Sequence, residues 1–229
     1  MNQKHMTLNS ISMMEAVQEF RNASNSRYGF YHIAPFYYLF LLLFMFYTPV
    51  TLIWLKIIPF EYRFYACFGI LAGFICFCCR RHYNSRELGF RTDNLMRSLG
   101  WNFIFCVVGA IGLYITHKAG FLRPVTHNHL SQMYIFYIFF LGPVQELFFR
   151  GVLFAEMKRI PNVDHRWILR VSTFSFCFLH VIYGHPPLLI IALISGLAWG
   201  VIFTKCHNIW GITLSHSLLG ALAMYLGVI

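Results

Sequence analysis

The 229-residue chain has few charged side chains, and acids are the scarcest. Lysine, arginine, aspartate and glutamate together make up 11% of it, and only eight residues are acidic. A soluble domain carries roughly 25% charged residues, so this composition excludes a water-soluble fold. Hydrophobic residues make up 58% of the chain, and the membrane class follows before any motif is considered.

Several signatures of other classes are also missing. No H-E-x-x-H spacing of a soluble zinc protease occurs, and the C-x-x-C of Cys76 and Cys79 has no second pair, so a zinc-ribbon site is not indicated. Residues 1–30 lack an apolar core ending in small residues, so we expect no cleavable signal peptide. No internal repeat is visible in the sequence, although a transporter with hidden repeats stays open as an alternative.

Continuous apolar runs near 20 residues recur along the chain, and a bilayer-spanning helix needs about that length. Because the runs do not alternate with polar residues, helices rather than barrel strands are expected. The predicted fold is all-α, a polytopic transmembrane helical bundle of about seven spans. The predicted spans are 35–55, 64–79, 98–116, 133–155, 167–183, 186–204 and 209–228.

The basic residues predict the orientation of these spans. One set of alternate loops holds 13 of the 18 lysines and arginines, and the other set holds four. The positive-inside rule then places the N-terminus in the cytoplasm. We expect the plasma (inner) membrane to be the membrane that holds the protein. The net charge of +10 is explained by topology and lipid contact, and we expect no nucleic-acid partner.

Two regions are expected along the chain. Residues 1–30 form a cytoplasmic N-terminal segment in which Leu8, Ile11, Met14 and Val17 recur at helical spacing. This pattern favours an amphipathic helix on the membrane surface, with a disordered tail as the alternative. Residues 31–229 form the transmembrane helical domain.

One carboxylate, Glu146, lies deep in a predicted span, and Arg150 follows it by four residues. A charge inside a span costs about 2.5–3.5 kcal/mol on insertion scales, so such residues are functional candidates by default. Residues four apart share a helix face, and glutamate before arginine is the favourable order. A purely structural ion pair is therefore one interpretation.

Just before Glu146, Gly142 and Pro143 are predicted to interrupt the helix and to open room for a polar cavity. Gln145, between Pro143 and Glu146, can orient a water but cannot take a proton at neutral pH. Two further polar side chains, His180 and His216, lie at a depth similar to that of Glu146, roughly 10–20 Å from one end of their spans.

This set of side chains permits two chemistries. A carboxylate and a histidine can hold and deprotonate a water, while a second histidine donates to an oxyanion, which together give acyl-bond hydrolysis. Alternatively, Glu146, His180 and His216 form the ligand set of a divalent metal such as zinc, held across three helices. Spacing alone leaves both open.

The residues around these positions resemble the CPBP family of intramembrane proteases, which includes the CAAX-type prenyl-protein endopeptidases. The run G-P-V-Q-E-L-F-F-R-G-V-L-F at 142–154 is similar to the family's first motif, E-E-x-x-x-R. Phe176 to His180 matches F-x-x-x-H, and His216 matches the histidine of H-x-x-x-N. The resemblance covers about 85–225, beginning with an entry segment at 87–90.

The resemblance implies roles for these residues. Glu146 and Arg150 correspond to the second glutamate and the arginine of the first motif. His180 corresponds to the water-positioning histidine, and His216 to the oxyanion-side histidine. The sequence departs from the family twice: Gln145 stands where the presumed catalytic base is a glutamate, and Gly220 stands where an asparagine is thought to stabilise the oxyanion.

The resemblance therefore predicts an intramembrane endopeptidase that cleaves a peptide bond near the cytoplasmic side of a membrane-bound or lipidated peptide or protein. Gln145 and Gly220 favour an alternative, a catalytically silent membrane scaffold or regulator that binds a partner in the same cavity. A proton-coupled carrier using Glu146 and His180 as a relay is the third hypothesis.

Overall fold

The computed structural model describes residues 36–122 and 130–228. Within these residues the regular structure is entirely helical. The segment 1–30, predicted to be an amphipathic helix, lies outside the described residues. The helices are α1 (Phe36–Trp54), α2 (Arg63–Arg81), α3 (Leu95–Lys118), α4 (Gln132–Lys158), α5 (His165–Leu179), α6 (Pro186–Cys206) and α7 (Ile209–Tyr225).

These helices confirm an all-α, polytopic bundle. Each falls on one of the seven predicted spans, with ends that differ by a few residues. Among the described residues, five helices are long and apolar enough to cross a membrane, once a 3₁₀ turn at Phe60–Tyr62 is added to α2. The other two, α5 and α7, have 15 and 17 residues, and α5 continues into a 3₁₀ turn at His180–Tyr183.

Helix α4 lies at the centre of the bundle. In its most apolar stretch 56% of the residues are buried inside the protein, against 11% in α2 and in α3. Its aromatic side chains meet the outer helices: the Phe148 ring lies 4.9 Å from Phe46 on α1 and 5.4 Å from Phe74 on α2. The helix that carries Glu146 is therefore enclosed by protein rather than by lipid.

The predicted interruption at Gly142 and Pro143 takes a different form. The backbone stays helical there, and α4 instead contains two π-helical stretches, Tyr137–Leu141 and Leu147–Val152. At the end of the first stretch, the N–H of Gly142 bonds the carbonyl of Tyr137, five residues back. The carbonyl of Ile138, four residues back, is thereby left without its usual donor.

Serine hydroxyls from neighbouring helices satisfy the freed carbonyls. Ser217 on α7 donates to Ile138 O at 2.8 Å, and Ser172 on α5 donates to Phe149 O at 2.9 Å in the second stretch. Gly142 permits the first contact, because a Cβ there would lie 2.6 Å from Ser217 Oγ. These two contacts help to stabilise the irregular helix at membrane depth, where a carbonyl without a donor is costly.

Small residues bring α5 and α6 together. A Cβ at Gly196 would lie 3.0 Å from Phe176, and a Cβ at Gly200 would overlap Leu169. This G-x-x-x-G pair therefore permits close packing of the two helices. Gly196 also contributes its carbonyl, which accepts a hydrogen bond from Arg150.

A second buried carboxylate, Glu156, joins α4 to the loop after α2. It accepts hydrogen bonds from Arg81 at 2.8 Å, from Tyr83 at 2.5 Å and from Arg159 at 3.2 Å. Burial, and next the hydrogen bond to Glu156, raises the pKa of Tyr83, so its hydroxyl keeps the proton that it donates. Arg159 also reaches Glu87 at 2.8 Å, which anchors the 87–90 segment to α4.

We expect Glu156→Ala to lower the free energy of unfolding by about 1–3 kcal/mol, because three donors would lose their buried acceptor while the two arginines keep contact with water. The measurement is thermal unfolding of the purified protein in detergent. Asp93→Asn is the matched control, since Asp93 pairs with Arg91 at the exposed surface and such pairs contribute little. Equal midpoints for both variants would contradict a role for Glu156 in holding α4 to the loop.

Candidate active site

The carboxylate of Glu146 holds two side chains with one oxygen. Its Oε1 accepts from Arg150 Nη1 at 2.7 Å and from His216 Nδ1 at 2.6 Å, while all three residues are buried. The predicted pair of Glu146 and Arg150 on one helix face is therefore present, and it extends across to α7. Glu146 Oε2 is buried and has no hydrogen-bond partner among the described residues.

Aromatic rings fix the orientation of His216. The Trp199 ring stacks on the imidazole with centroids 4.4 Å apart, and the Phe176 ring meets it edge-on at 5.3 Å. Because a carboxylate only accepts, Nδ1 carries the proton that it gives to Glu146. The other nitrogen, Nε2, lies 3.0 Å from the hydroxyl of Tyr137, and in a neutral imidazole it is an acceptor.

A chain of polar groups holds Trp199 in turn. Its Nε1 donates to Ser215 Oγ at 2.8 Å, and Ser215 lies 2.7 Å from Asn102 Oδ1 on α3. Asn102 donates to the carbonyl of Ser98 at 2.8 Å. These buried polar residues link α3, α6 and α7 behind the histidine, so three helices determine the position of one ring.

His180 sits where α5 passes into the 3₁₀ turn. Its Nδ1 bonds the carbonyl of Phe176 at 2.9 Å, so Nδ1 carries the proton and Nε2 of a neutral ring carries a lone pair. His180 and His216 line the same cavity, and the Phe176 ring packs against both imidazoles. Of the predicted residues, Glu146 is thus in direct contact with both Arg150 and His216. His180 makes no hydrogen bond to these three among the described residues, but it lines the same cavity as His216.

The cavity has a volume of about 300 Å³ and lies between α3, α6 and α7. Its wall is apolar apart from a few groups, among them the two histidines, Tyr137 and Ser195. Val108 on α3 and Ile194 on α6 also line it, and they are 61% and 60% exposed. Since both lie near the middle of their helices, the cavity opens sideways, between α3 and α6, at the depth of the hydrocarbon.

Gln145 lies outside the cavity that the two histidines line. It lines a second, smaller cavity of about 100 Å³ bounded by α1, α2 and α5, together with Arg63 and Phe148. Its Oε1 is buried and has no hydrogen-bond partner among the described residues. The glutamine that replaces the family's first glutamate therefore does not share the wall of the histidine cavity.

The same geometry tests the metal alternative. Among the described residues, no group of three His, Cys, Asp or Glu side chains is arranged to hold a metal ion. Both nitrogens of His216 already face Glu146 and Tyr137, and Nδ1 of His180 faces a carbonyl. The arrangement of these donors does not fit a three-ligand zinc site, and metal content of the purified protein remains the direct test.

Four residues near the centre were not identified from the sequence: Tyr137, Trp199, Asn102 and Ser215. Asn102 carries a readable signal, because an amide in the middle of an apolar span is costly unless it is paired. Tyr137 and Trp199 carry none, since aromatic residues make up 19% of the chain.

Comparison with known proteins gives one match to a family. Residues 127–222 match type II CAAX prenyl endopeptidase Rce1-like, a range that contains every predicted site residue. Neither curated proteins nor solved structures give a match to the chain. At the level of the family, the activity that this supports is that of an intramembrane CAAX-type endopeptidase. The match confirms that this integral membrane chain resembles the CPBP family of CAAX-type intramembrane proteases, as its motifs predicted.

Proposed function

We propose that the chain hydrolyses a peptide bond of a lipidated, membrane-anchored protein inside the cavity between α3, α6 and α7. One observation carries the proposal: His180 and the Glu146-held His216 line the same laterally open cavity. A base and a polar pocket wall at one place are what a hydrolytic site needs.

In this mechanism His180 is the general base. Its Nδ1–H is bound to the Phe176 carbonyl, which leaves the Nε2 lone pair to take a proton from water in the cavity. Glu146 Oε1 is engaged by two donors, so the role of the carboxylate is to hold His216 and Arg150. The chemistry therefore does not require a carboxylate at position 145.

Hydrolysis follows by two steps. The water oxygen bonds to the carbonyl carbon, its proton passes to His180 Nε2, and the carbonyl π electrons become an oxyanion on the His216 side. The carbonyl then re-forms, the C–N bond breaks, and the proton on His180 passes to the leaving amine. The products are a carboxylic acid and an amine, and the imidazole returns to its starting state.

The lateral opening favours a substrate that arrives from the bilayer. A lipid chain entering between Val108 and Ile194 meets apolar walls first, and burial stabilises it by about 0.8 kcal/mol per methylene. Together with the family match, this supports a lipidated C-terminal peptide as the substrate class. The distribution of basic residues favours a cytoplasmic N-terminus, and we propose that cleavage occurs toward that side of the plasma membrane.

The alternative, a silent scaffold, is favoured by Gln145. A scaffold would hold the same lipidated peptide without cleaving it, because the position of the family's base carries an amide. Its Oε1 is buried in the smaller cavity and has no partner among the described residues.

The test is cleavage of a peptide with a farnesylated cysteine three residues before its C-terminus, using the purified protein in lipid nanodiscs and mass spectrometry. We expect release of the last three residues, and none from the same peptide without the lipid. Binding without cleavage, together with cleavage gained by Gln145→Glu, would support the scaffold instead. Metal analysis of the same sample decides the zinc alternative, which predicts one bound ion and loss of cleavage with a chelator.

A further inference from the structure

The oxyanion in this mechanism needs a hydrogen-bond donor, and two obvious candidates cannot supply it. The position that is asparagine in the resembled motif is Gly220, which has no side chain. Both ring nitrogens of His216 are already engaged, Nδ1 with Glu146 Oε1 and Nε2 with the Tyr137 hydroxyl. Another side chain at the cavity wall is therefore the candidate donor.

Tyr137 occupies the space above Gly220. A Cβ built at position 220 would overlap the phenolic oxygen and two ring carbons of Tyr137, so any other residue would displace this ring. The tyrosine is buried, and both it and Gly220 line the cavity with His180 and His216. The phenol thus stands where the asparagine side chain of the motif would project.

The backbone of α4 directs the ring to this place. Tyr137 is the first residue of the π-helical stretch, and its carbonyl accepts the Gly142 N–H. The contact of Ser217 with Ile138 O holds that stretch against α7, one residue from His216. The hydroxyl lies 3.0 Å from His216 Nε2 and donates to it in the resting state.

We propose that the Tyr137 hydroxyl is the oxyanion donor, a catalytic group that replaces the asparagine missing at Gly220. This inference rests on the proposed endopeptidase activity. As the tetrahedral intermediate forms, the hydroxyl hydrogen turns from His216 Nε2 to the new oxyanion, because a phenol O–H rotates about its C–O bond. No proton is transferred in this step, and the tyrosine remains neutral throughout.

The first test compares Tyr137→Phe with Tyr134→Phe in the nanodisc assay. Tyr134 is the matched control, since its hydroxyl has no hydrogen-bond partner among the described residues. We expect Tyr137→Phe to lower kcat about 10²–10³-fold, as loss of one oxyanion donor does, with KM unchanged because the ring stays in place. Tyr134→Phe is expected to match the parent.

The second test exchanges the donor between the two positions. Gly220→Asn alone is expected to lose cleavage, because the new side chain overlaps the phenol. Tyr137→Ala/Gly220→Asn makes room for the amide and is expected to recover at least tenfold over Tyr137→Ala, whereas Tyr137→Ala/Gly220→Ala fills the same space without a donor and is not. A role in packing alone predicts equal rescue by both double variants.

The outcomes separate this inference from the function on which it rests. If the parent cleaves and Tyr137→Phe keeps its kcat within about twofold, the donor role is overturned and the endopeptidase stands. If the parent cleaves no lipidated peptide, both are overturned, since there is then no oxyanion to stabilise.

Discussion

His180→Ala is expected to lower kcat for the lipidated peptide by about 10²–10⁴-fold, the usual contribution of a general base. KM is expected to stay nearly unchanged, because the apolar walls that hold the lipid, on α3 and α6, are untouched. The reason is the fixed tautomer of the ring: with Nδ1–H on the Phe176 carbonyl, Nε2 is the acceptor at the cavity wall. The measurement is steady-state cleavage in nanodiscs.

His207→Asn serves as the control for this prediction. His207 lies after the end of α6, near Lys158, and has a φ of 46°, a conformation that asparagine tolerates. We expect it to cleave as the parent does. If His180→Ala retains more than a tenth of the parent's kcat while it unfolds at the same temperature, the base lies elsewhere and Glu146, with its unpartnered Oε2, becomes the leading candidate.

Removing one member of the buried ion pair is expected to have the largest effect on stability. Glu146→Ala leaves the guanidinium of Arg150 buried with a backbone carbonyl, Gly196 O, as its remaining acceptor. Breaking such a pair from one side costs about 3–5 kcal/mol, because an uncompensated charge stays in a low-dielectric interior. A lower unfolding midpoint in detergent, followed by Trp fluorescence or scanning calorimetry, is the measurement.

The double variant Glu146→Met/Arg150→Met is the informative comparison. It removes both charges and keeps the volume, and replacing a whole buried pair by apolar residues is often neutral or stabilising. We expect this double variant to recover most of the lost stability. We also expect it to be inactive, because His216 no longer has a partner for Nδ1. A double variant as unstable as Glu146→Ala would mean that the pair stabilises the bundle by more than charge compensation.

The fold could be predicted from the sequence because membrane helices are set by length and apolarity alone. Each predicted span coincides with a helix to within a few residues, including α5 and α6, which the 3₁₀ turn at His180–Tyr183 and residues 184–185 separate. The two π-helical stretches inside α4 could not be predicted from the sequence. A proline suggested a break, but the bundle supplied two serine hydroxyls that allow the helix to continue through π turns.

The centre of the site could be predicted because charges and imidazoles in a span are costly without a partner. Glu146 could therefore be paired with Arg150 and grouped with His180 and His216 from the sequence. The cavity that Gln145 lines could not be predicted. Adjacent residues on a helix point about 100° apart, so only one of Gln145 and Glu146 can face α7, and the sequence does not say which. Tyr137 could not be found, because its role depends on an absence at Gly220, 83 positions away in the chain. Glu156 lies one residue beyond the predicted span 133–155, yet it is fully buried.

The serines that complete the π turns of α4 have a consequence for biosynthesis. When α4 first enters the bilayer, α5 and α7 do not yet lie beside it, so a π turn would leave a carbonyl without a donor in lipid. We expect the newly inserted helix to be regular and to shift register only as α5 and α7 arrive beside it. The final orientation of Glu146 would then be decided by helices made after its own, which keeps the nascent chain inactive until the bundle closes.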